Sequence, residues 1–203
     1  MMPEIHQKDK KTLRQHFKQL RSQLSDEFRK DASERILQFL LEDPTLPAIQ
    51  TIHTFLSLPE EPDTHPVVEA LWNLNKNVVV PCVQDKQTLE HSLLTNWQDV
   101  VTGPYGIAEP AVEKRIPMNP LLFDWVLIPG LAFSEKNGAR LGYGKGFYDR
   151  FLKATPALLI GICFSCQLTS DLVQETHDVP VHAILTEKGW IYYHENIDNE
   201  DNV

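Results

Sequence analysis

The spacing of apolar side chains predicts three helices in the first part of the chain. Residues 7–24 have apolar positions at the period of an amphipathic helix, namely Leu13, Phe17, Leu20 and Leu24. A second helix is predicted over residues 26–41, because Ser25 can cap its first turn. A third helix is predicted over residues 65–75, after a loop rich in proline and acidic residues.

Short apolar runs bounded by turn residues predict the strands. They cover residues 49–56, 77–82, 88–94, 125–128 and 157–163, and residues 183–194 have the pattern of a closing hairpin. The β-branched run at 77–82 is typical of a strand that is buried on both faces of a parallel sheet. Because helices alternate with these strands, we predict a single α/β domain over residues 1–203, with three αβα layers and a mostly parallel sheet.

Two segments are predicted to lie outside this regular structure. Residues 95–120 are rich in proline and glycine and are interpreted as a long irregular connection. Connections of that length inside a compact domain are more often functional than idle. The acidic residues 195–203 are expected to be disordered.

A glycine-rich stretch at residues 136–152, KNGARLGYGKGFYDRFL, is the main candidate for chemistry. It holds four of the nine glycines of the chain together with Arg140 and Lys145. Glycines before a helix let backbone N–H groups converge on phosphate oxygens, and the two cations would supply positive charge. The spacing is neither that of a P-loop nor G-x-G-x-x-G. A tight structural turn therefore remains the alternative to phosphate binding.

Two acidic residues stand where a magnesium ion could lie beside such phosphates. Asp149 follows three residues after Gly146, in the first turn of a helix predicted over residues 146–154, where it can bind metal or complement the helix dipole. Asp178 lies in the loop HDVP after another predicted strand. In a parallel sheet both loops would lie at the carboxyl edge, where open α/β sheets bind ligands.

Charge and composition limit the partners. The formal net charge is -9, which argues against general nucleic-acid binding and against binding to an anionic membrane surface. The first residues lack the apolar core of a signal peptide, and no apolar run is long enough to span a bilayer. We therefore expect a cytoplasmic protein that binds a small molecule.

The three cysteines include one C-x-x-C pair, Cys163 and Cys166. Such a pair can be a redox dithiol or half of a zinc site, but no second pair or suitably spaced histidines complete a metal site. We interpret the two as ordinary thiols at the end of a strand.

Five ordered motifs resemble one known family. The run PGLAFSEKNGARLGYGKGFYDRFL closely resembles the signature of the 5-formyltetrahydrofolate cyclo-ligases, which are also called methenyltetrahydrofolate synthetases. The other motifs are K-x-x-x-R at Lys10 and Arg14, FLSLPEEPDT, GPYGIAEP and HDVPVHAILTEKG. The resemblance covers nearly the whole chain. It implies a fold similar to the ribose-isomerase-like and CoA-transferase-like group, and ATP and Mg²⁺ as cofactors. We expect the protein to be a monomer.

The resemblance also implies roles for individual residues. The ATP phosphates would be bound by Lys10, Arg14, Arg140, Leu141, Gly142, Tyr143, Gly144, Lys145, Gly146, Phe147 and Tyr148, with Lys145 and Arg140 as catalytic groups. The folate would lie against Leu56, Glu61, Tyr105, Tyr143 and Phe147, and Asp149 and Asp178 would hold magnesium. Asp63 competes with Glu61 for the role of orienting the substrate. Tyr143 stands where some relatives have Arg, and Phe147 where Tyr is common.

The implied activity is the conversion of 5-formyltetrahydrofolate to 5,10-methenyltetrahydrofolate with release of ADP and phosphate. Phosphoryl transfer to the formyl oxygen followed by ring closure needs alignment and charge neutralisation, not a protein nucleophile. One alternative is a non-enzymatic folate- or nucleotide-binding protein on the same fold. Another is a sugar-phosphate isomerase or CoA-transferase, which would use a catalytic carboxylate without the glycine and cation run.

Overall fold

A computed structural model describes residues 9–170, 172, 175 and 178–193. Its α-helices are α1 (Lys10–Ser22), α2 (Asp26–Leu41), α3 (His65–Asn73) and α4 (Phe147–Phe151). Its strands are β1 (Thr51–His53), β2 (Asn77–Val83), β3 (Leu89–Leu93), β4 (Val100–Thr102), β5 (Ala108–Pro110), β6 (Trp125–Pro129), β7 (Ala132–Ser134), β8 (Arg140–Leu141), β9 (Leu158–Ile162), β10 (Leu168–Thr169), β11 (Ala183–Thr186) and β12 (Gly189–Tyr192). The predicted disordered tail, residues 195–203, lies outside the described residues.

The main sheet has seven strands in the order β12-β11-β9-β6-β1-β2-β3. The five central strands, from β11 to β2, are parallel to one another, while β12 and β3 pair antiparallel at the two edges. This confirms the predicted α/β class with a mostly parallel sheet. Because the central strands run the same way, the loops that follow them meet at one carboxyl edge.

Alternate side chains of the central strands enter two different cores, one on each face of the sheet. Val78 and Val80 pack with the apolar faces of α2 and α3, whereas Val79 packs with Phe151 of α4 and with Phe123. The side-chain period of two in a strand produces this division and explains why β2 is apolar at successive positions. Among the described helices, none combines the length and apolar character needed to cross a membrane.

Helix α1 packs against a small three-stranded sheet in the order β10-β7-β8. Its apolar side chains, Leu13 and Phe17, are buried against Leu131, Ala132 and Leu141. Asp9 caps its first turn by accepting hydrogen bonds from two backbone N–H groups. This packing holds the polar side of α1 next to the loop that follows β8.

Several predicted boundaries differ from the observed ones. The strand predicted over residues 49–56 is only Thr51–His53, since the chain turns after it and the Phe55 carbonyl accepts a bond from the Thr64 hydroxyl. The helix predicted over residues 146–154 is the five-residue α4 followed by the 3₁₀ turn Leu152–Ala154. So short a helix contributes little dipole, and charge at the glycine stretch must come mainly from side chains.

Two hairpins were not predicted, one of them inside the connection that was expected to be irregular. The connection at residues 95–120 contains the pair β4 and β5, which are joined by a turn with Tyr105 and Gly106 at positive φ. The second hairpin joins β7 to β8 through Gly138, whose φ is +68° and whose added Cβ would lie 2.3 Å from the Val181 carbonyl oxygen. Glycine is required there, and the turn brings Arg140 into β8.

A pair of histidines is buried between the main sheet and α4. His53 of β1 and His91 of β3 approach each other to 3.2 Å between Nε2 and Nδ1, among the rings of Phe123 and Phe151. A hydrogen bond between two imidazoles needs one donor and one acceptor, so the pair is stable in the neutral form. Burial, with a contribution from His91, lowers the pKa of His53 well below its usual value, and burial lowers that of His91 to about 4.

We expect this pair to make stability depend on pH. A lowered folded-state pKa means that the stabilisation is complete above pH ~6.5 and is lost as the pH falls towards the folded-state value, by at most about 1.4 kcal/mol per pH unit for each histidine. Urea unfolding at pH 7, 6 and 5 should show this fall. Asp63 raises the pKa of His65, which acts in the opposite direction, so His65→Asn should steepen the fall. Equal stability at pH 7 and pH 5 in that variant would contradict the argument.

Candidate active site

A cavity of about 340 Å³ opens at the carboxyl edge of the main sheet, beyond β1, β2 and β6. Its lining contains most of the residues that the sequence predicted for the nucleotide, the folate and the metal: Leu56, Glu61, Tyr105, Arg140, Gly142, Tyr143, Gly144, Lys145, Gly146, Phe147, Tyr148 and Asp149. The remaining four predicted residues, Lys10, Arg14, Leu141 and Asp178, are not part of this lining. Residues more than 80 positions apart in the chain therefore face one space.

The loop from Gly142 to Gly146 forms one wall of the cavity, and its glycines allow arginines to approach closely. A Cβ at Gly142 would lie 2.8 Å from Arg140 Nη1, and one at Gly144 would lie 3.3 Å from Arg14 Cζ. Arg14 reaches this loop from α1 and donates from Nε to the Gly142 carbonyl oxygen at 2.9 Å. The glycines therefore serve a tight turn, and the same turn keeps two guanidinium groups beside the cavity.

Arg140 is buried at the base of this wall and holds Asp149. Its Nη2 donates to Asp149 Oδ1 at 2.5 Å, and its Nη1 donates to the Pro129 carbonyl oxygen at 3.4 Å. The guanidinium carbon lies 5.6 Å from the ring centroid of Tyr148. The Tyr148 hydroxyl is buried with no hydrogen-bond partner among the described residues, and burial raises its pKa. Strand β8 and helix α4 are thus joined through one ion pair.

Lys145 stands on the opposite, more exposed part of the wall. Its Nζ lies 4.8 Å from the ring centroid of Tyr105, a cation–π contact. Tyr105 has a φ of +61° at the tip of the β4–β5 hairpin, and its ring lies 6.4 Å from that of Phe147. Within the described part of the chain, Lys145 forms no salt bridge with a carboxylate. Its charge is available to an anionic ligand.

Glu61 provides a buried carboxylate on the facing wall. Its Oε2 accepts from the Leu58 backbone N–H at 2.9 Å, and its Oε1 accepts a hydrogen bond from the Tyr143 hydroxyl. Burial raises the pKa of Glu61, and the bonds from Tyr143 and Leu58 and the charge of Arg21 act against this rise. Burial and the charge of Glu61 also raise the pKa of Tyr143.

Asp63, the other candidate for orienting a substrate, has a different position. It is exposed, does not line the cavity, and accepts from the backbone N–H of His65 at the start of α3. Thr64 is the N-cap residue of that helix, although its hydroxyl bonds to the Phe55 carbonyl oxygen. Of the two acids, Glu61 is therefore the one that can reach a ligand in the cavity.

Asp178 lies away from the cavity and is bound to the first helix. Lys10 Nζ donates to Asp178 Oδ2 at 2.9 Å and lies 3.1 Å from Glu175 Oε1. Among the described residues, no group of three or more His, Cys, Asp or Glu side chains is arranged to hold a metal ion. The structure therefore pairs the predicted metal ligand Asp178 with the predicted phosphate ligand Lys10, and both roles stay predictions.

Two cationic residues of α1 were not included in the predicted site. Lys18 lines the cavity, and Arg21 lies behind it and donates to Tyr143. Both lie on the same cationic side of the helix as Arg14, four and seven positions further along. This row of cationic residues along one side of α1 was the sequence signal that could have indicated Lys18 and Arg21, since the row does not end at Arg14.

The C-x-x-C cysteines lie in surroundings that do not favour a reactive thiol. Cys163 and Cys166 are both free, and Cys163 is fully buried. Burial raises the pKa of both thiols, with a further rise from the charge of Glu187. A thiol with a raised pKa has little thiolate at neutral pH and is a poor nucleophile.

Comparisons with known proteins agree on one family. The family model described as the 5-formyltetrahydrofolate cyclo-ligase family matches residues 6–187. A 5-formyltetrahydrofolate cyclo-ligase of Escherichia coli strain K12 is 32% identical over 185 residues, which cover 85% of this chain and 98% of that protein. The mouse enzyme of the same name is 27% identical over 192 residues, covering 88% of this chain and 93% of that protein.

Solved structures give the same result. A structure of 5,10-methenyltetrahydrofolate synthetase from Aquifex aeolicus has a TM-score of 0.81 and 28% identity, and covers 94% of this chain and 98% of that one. One from Mycoplasma pneumoniae has a TM-score of 0.74 and 26% identity, and covers 89% of this chain and 99% of that one.

An open α/β sheet with a cation-lined cavity at its carboxyl edge is typical of the class of α/β proteins that bind small anionic ligands at that edge. The comparisons define the protein further. This chain belongs to the 5-formyltetrahydrofolate cyclo-ligase family, as its ordered motifs predicted.

Proposed function

We propose that this protein converts 5-formyltetrahydrofolate to 5,10-methenyltetrahydrofolate in a reaction that depends on ATP and Mg²⁺ and releases ADP and phosphate. The supporting observation is that two walls of different chemical character line the same cavity. The cationic glycine loop fits phosphate groups, while Leu56, Glu61 and Tyr105 offer apolar surface and one buried carboxylate to a flat heterocycle. The cytoplasmic location and the monomeric state stay predictions.

The chemical problem is that the formyl oxygen is a poor leaving group. In the proposed first step this oxygen attacks the γ-phosphorus of ATP, and the bond from that phosphorus to ADP breaks. The nitrogen that links the pterin side chain to the benzoyl group then attacks the activated formyl carbon. The five-membered ring closes, that nitrogen loses its proton, and the formyl oxygen leaves as part of phosphate.

The residues of the cavity serve this reaction by placing and neutralising charge. Lys145 and Arg140 would stabilise the charge of the transferring phosphoryl group, because fixed cations act there without reorganisation. Glu61 would accept hydrogen bonds from the N–H groups of the heterocycle and so orient the formyl group. No serine, cysteine, threonine or histidine is part of the described lining, which fits direct transfer between substrates.

Magnesium would be held by Asp149 together with the nucleotide. The Asp149 carboxylate lines the cavity, and its side chain is 27% exposed despite the ion pair with Arg140. Magnesium commonly takes one or two carboxylates and completes its shell with phosphate oxygens and water, and it neutralises charge on the phosphates. A single cavity carboxylate fits this mode of binding.

The proposal is tested by incubating the purified protein with ATP, Mg²⁺ and 5-formyltetrahydrofolate. We expect the near-ultraviolet absorbance of the methenyl product, with one phosphate released per product, and neither signal when ATP or Mg²⁺ is left out. Tight folate binding without turnover would instead favour a non-enzymatic folate-binding protein. Neither binding nor turnover in folded protein would overturn the proposal.

A matched pair of substitutions separates Glu61 from Asp63. Glu61→Gln should raise the KM for 5-formyltetrahydrofolate about 10- to 100-fold, because the heterocycle loses a charged acceptor, a contact worth about 1.5–3 kcal/mol. Asp63→Asn should leave this KM nearly unchanged, since the Asp63 carboxylate accepts from Ser57 of its own loop and from His65 at the start of α3 and does not line the cavity. Steady-state kinetics at saturating ATP give both values, and the reverse order of effects would assign the role to Asp63.

A further inference from the structure

Arg21 is a buried arginine placed directly behind the folate-facing wall. It comes from the last turn of α1 and is 3% exposed. Its Nη1 donates to the Tyr143 hydroxyl oxygen at 2.7 Å and lies 3.6 Å from Glu61 Oε1, while its Nη2 lies 3.6 Å from Glu60 Oε2. Arg21 does not line the cavity, so any effect on a ligand must pass through Tyr143 and Glu61.

The direction of the hydrogen bonds in this cluster follows from donor and acceptor chemistry. A guanidinium only donates, so the Tyr143 oxygen must accept from Arg21. The single proton of Tyr143 is then free to point at Glu61, whose Oε1 it contacts. Without Arg21 the hydroxyl could rotate and donate elsewhere. The arginine therefore determines which way the Tyr143 proton points.

The same contacts leave part of Glu61 available. Each carboxylate oxygen can accept two hydrogen bonds, and Glu61 uses one site on Oε2 for Leu58 N–H and one on Oε1 for Tyr143. Glu61 is therefore held by two bonds and retains further acceptor capacity while its side chain lines the cavity. A nearby positive charge favours the ionised form of such a buried carboxyl group, and Arg21 supplies one.

We propose that Arg21 is a positioning residue for the substrate: through Tyr143 it fixes the geometry of Glu61 and keeps this carboxylate negatively charged as a hydrogen-bond acceptor. That Glu61 accepts hydrogen bonds from the heterocycle of a reduced folate rests on the proposed function. The state of Glu61 itself does not, because it is a property of the protein without ligand.

The charged and titratable groups around Glu61 act in opposite directions. Burial and Glu60 raise its pKa, whereas the bonds from Tyr143 and Leu58 and the charge of Arg21 lower it. Three further cations line the cavity at Lys18, Arg140 and Lys145, and Tyr148 faces the cluster from α4. Removing Arg21 therefore weakens the interactions that oppose the effect of burial on Glu61. The pKa of Glu61 should rise, and its carboxylate should become protonated at a higher pH.

The test compares Arg21→Gln, which removes the charge, with Arg21→Lys, which retains it. Arg29→Gln is the matched control, because Arg29 is a half-buried arginine of α2 that bonds to Asp26 and the Leu24 carbonyl oxygen, away from the cavity. Each protein carries ¹³C-labelled glutamate carboxyl groups, and the Glu61 resonance is assigned by its loss in Glu61→Gln. Thermal melting establishes that each variant is folded.

In ligand-free Arg21→Gln we expect the Glu61 carboxyl to titrate about one pH unit or more higher than in the unchanged protein. Arg21→Lys and Arg29→Gln should titrate as the unchanged protein does. If the cyclo-ligase activity is present, the acid limb of kcat/KM for 5-formyltetrahydrofolate should move by the same amount in Arg21→Gln, while the KM for ATP stays within about twofold.

The two parts of the argument can fail separately. An unchanged Glu61 titration in Arg21→Gln, or an equal shift in Arg29→Gln, would overturn the role of Arg21 whether or not the protein is active. A shifted titration in a protein that does not turn over 5-formyltetrahydrofolate would support the role of Arg21 and reject the proposed function. If Arg21→Gln does not fold, Arg21→Lys provides the test. A Glu61 titration in Arg21→Lys that differs from that of the unchanged protein would also overturn the proposal.

Discussion

Lys145→Ala should lower kcat about 10²- to 10³-fold, the usual loss when one preorganised group that stabilises transition-state charge is removed. Lys145 lines the cavity and rests against the ring of Tyr105, with no carboxylate partner among the described residues. Its charge is therefore directed at the ligand and not at the fold. The KM for 5-formyltetrahydrofolate should change much less than kcat, because the charge develops on the phosphoryl group.

Lys136→Ala is the matched control for this substitution. Lys136 lies in the same glycine-rich stretch, but it is exposed on the turn between β7 and β8 and does not line the cavity. Stopped-flow and steady-state measurements of product absorbance should give unchanged values for this variant. Near-normal turnover in Lys145→Ala would remove the lysine from the proposed catalytic role.

Arg140→Lys should cost at least about 10²-fold in kcat/KM, although it keeps the positive charge. The guanidinium holds Asp149 and the Pro129 carbonyl oxygen at the same time and lies against Tyr148, whereas an ammonium group cannot reproduce this planar set of contacts. We expect Asp149 to lose its fixed position in this variant. The concentration of Mg²⁺ required for half-maximal activity should therefore rise as well.

A double-substitution cycle tests whether Arg140 and Asp149 act as one unit. Arg140→Lys with Asp149→Asn should be little worse than either change alone, since each already breaks the same ion pair. Thermal unfolding of the three variants separates loss of fold from loss of function. Fully multiplicative losses in kcat/KM would show that the two residues contribute independently.

Local sequence signals predicted α2 well because they all agree. Ser25 accepts a hydrogen bond from the Phe28 backbone N–H, and the helix runs from Asp26 to Leu41 over the predicted 26–41. The capping residue lies directly before the helix, so no contact with a distant segment was needed for this prediction. Strand β1 shows the limit of such signals, since the chain turns just after it, where the Thr64 hydroxyl donates to the Phe55 carbonyl oxygen nine residues earlier.

The hairpins around the cavity could not be predicted from the sequence, because they depend on contacts that no local pattern contains. The turn at Gly138 is required by the carbonyl of Val181, 43 positions further along, and the β4–β5 turn has a non-glycine residue, Tyr105, at positive φ. The glycine stretch itself was recognisable from composition. Two of its glycines lie close to arginine side chains, Gly142 to Arg140 of β8 and Gly144 to Arg14 of α1.

Much of the candidate site followed from the motifs, whereas Arg21 did not. Lys10 and Arg14 share the cationic stripe of α1 with Arg21, but periodicity alone cannot distinguish a buried arginine from a solvated one. Burial of Arg21 results from the meeting of α1, the Glu61 loop and Tyr143, which are distant in sequence. Conversely, Lys10, which was predicted to bind phosphate, and Asp178, which was predicted to bind metal, bond to each other instead of lining the cavity.

The fate of the formyl oxygen tests the central claim, phosphoryl transfer onto the substrate, most directly. The reaction is run with 5-formyltetrahydrofolate that carries ¹⁸O in its formyl group, and the released phosphate is examined by mass spectrometry. The mechanism predicts one ¹⁸O atom in each phosphate, because that oxygen bonds to phosphorus before the ring closes. Unlabelled phosphate formed together with the methenyl product would contradict it.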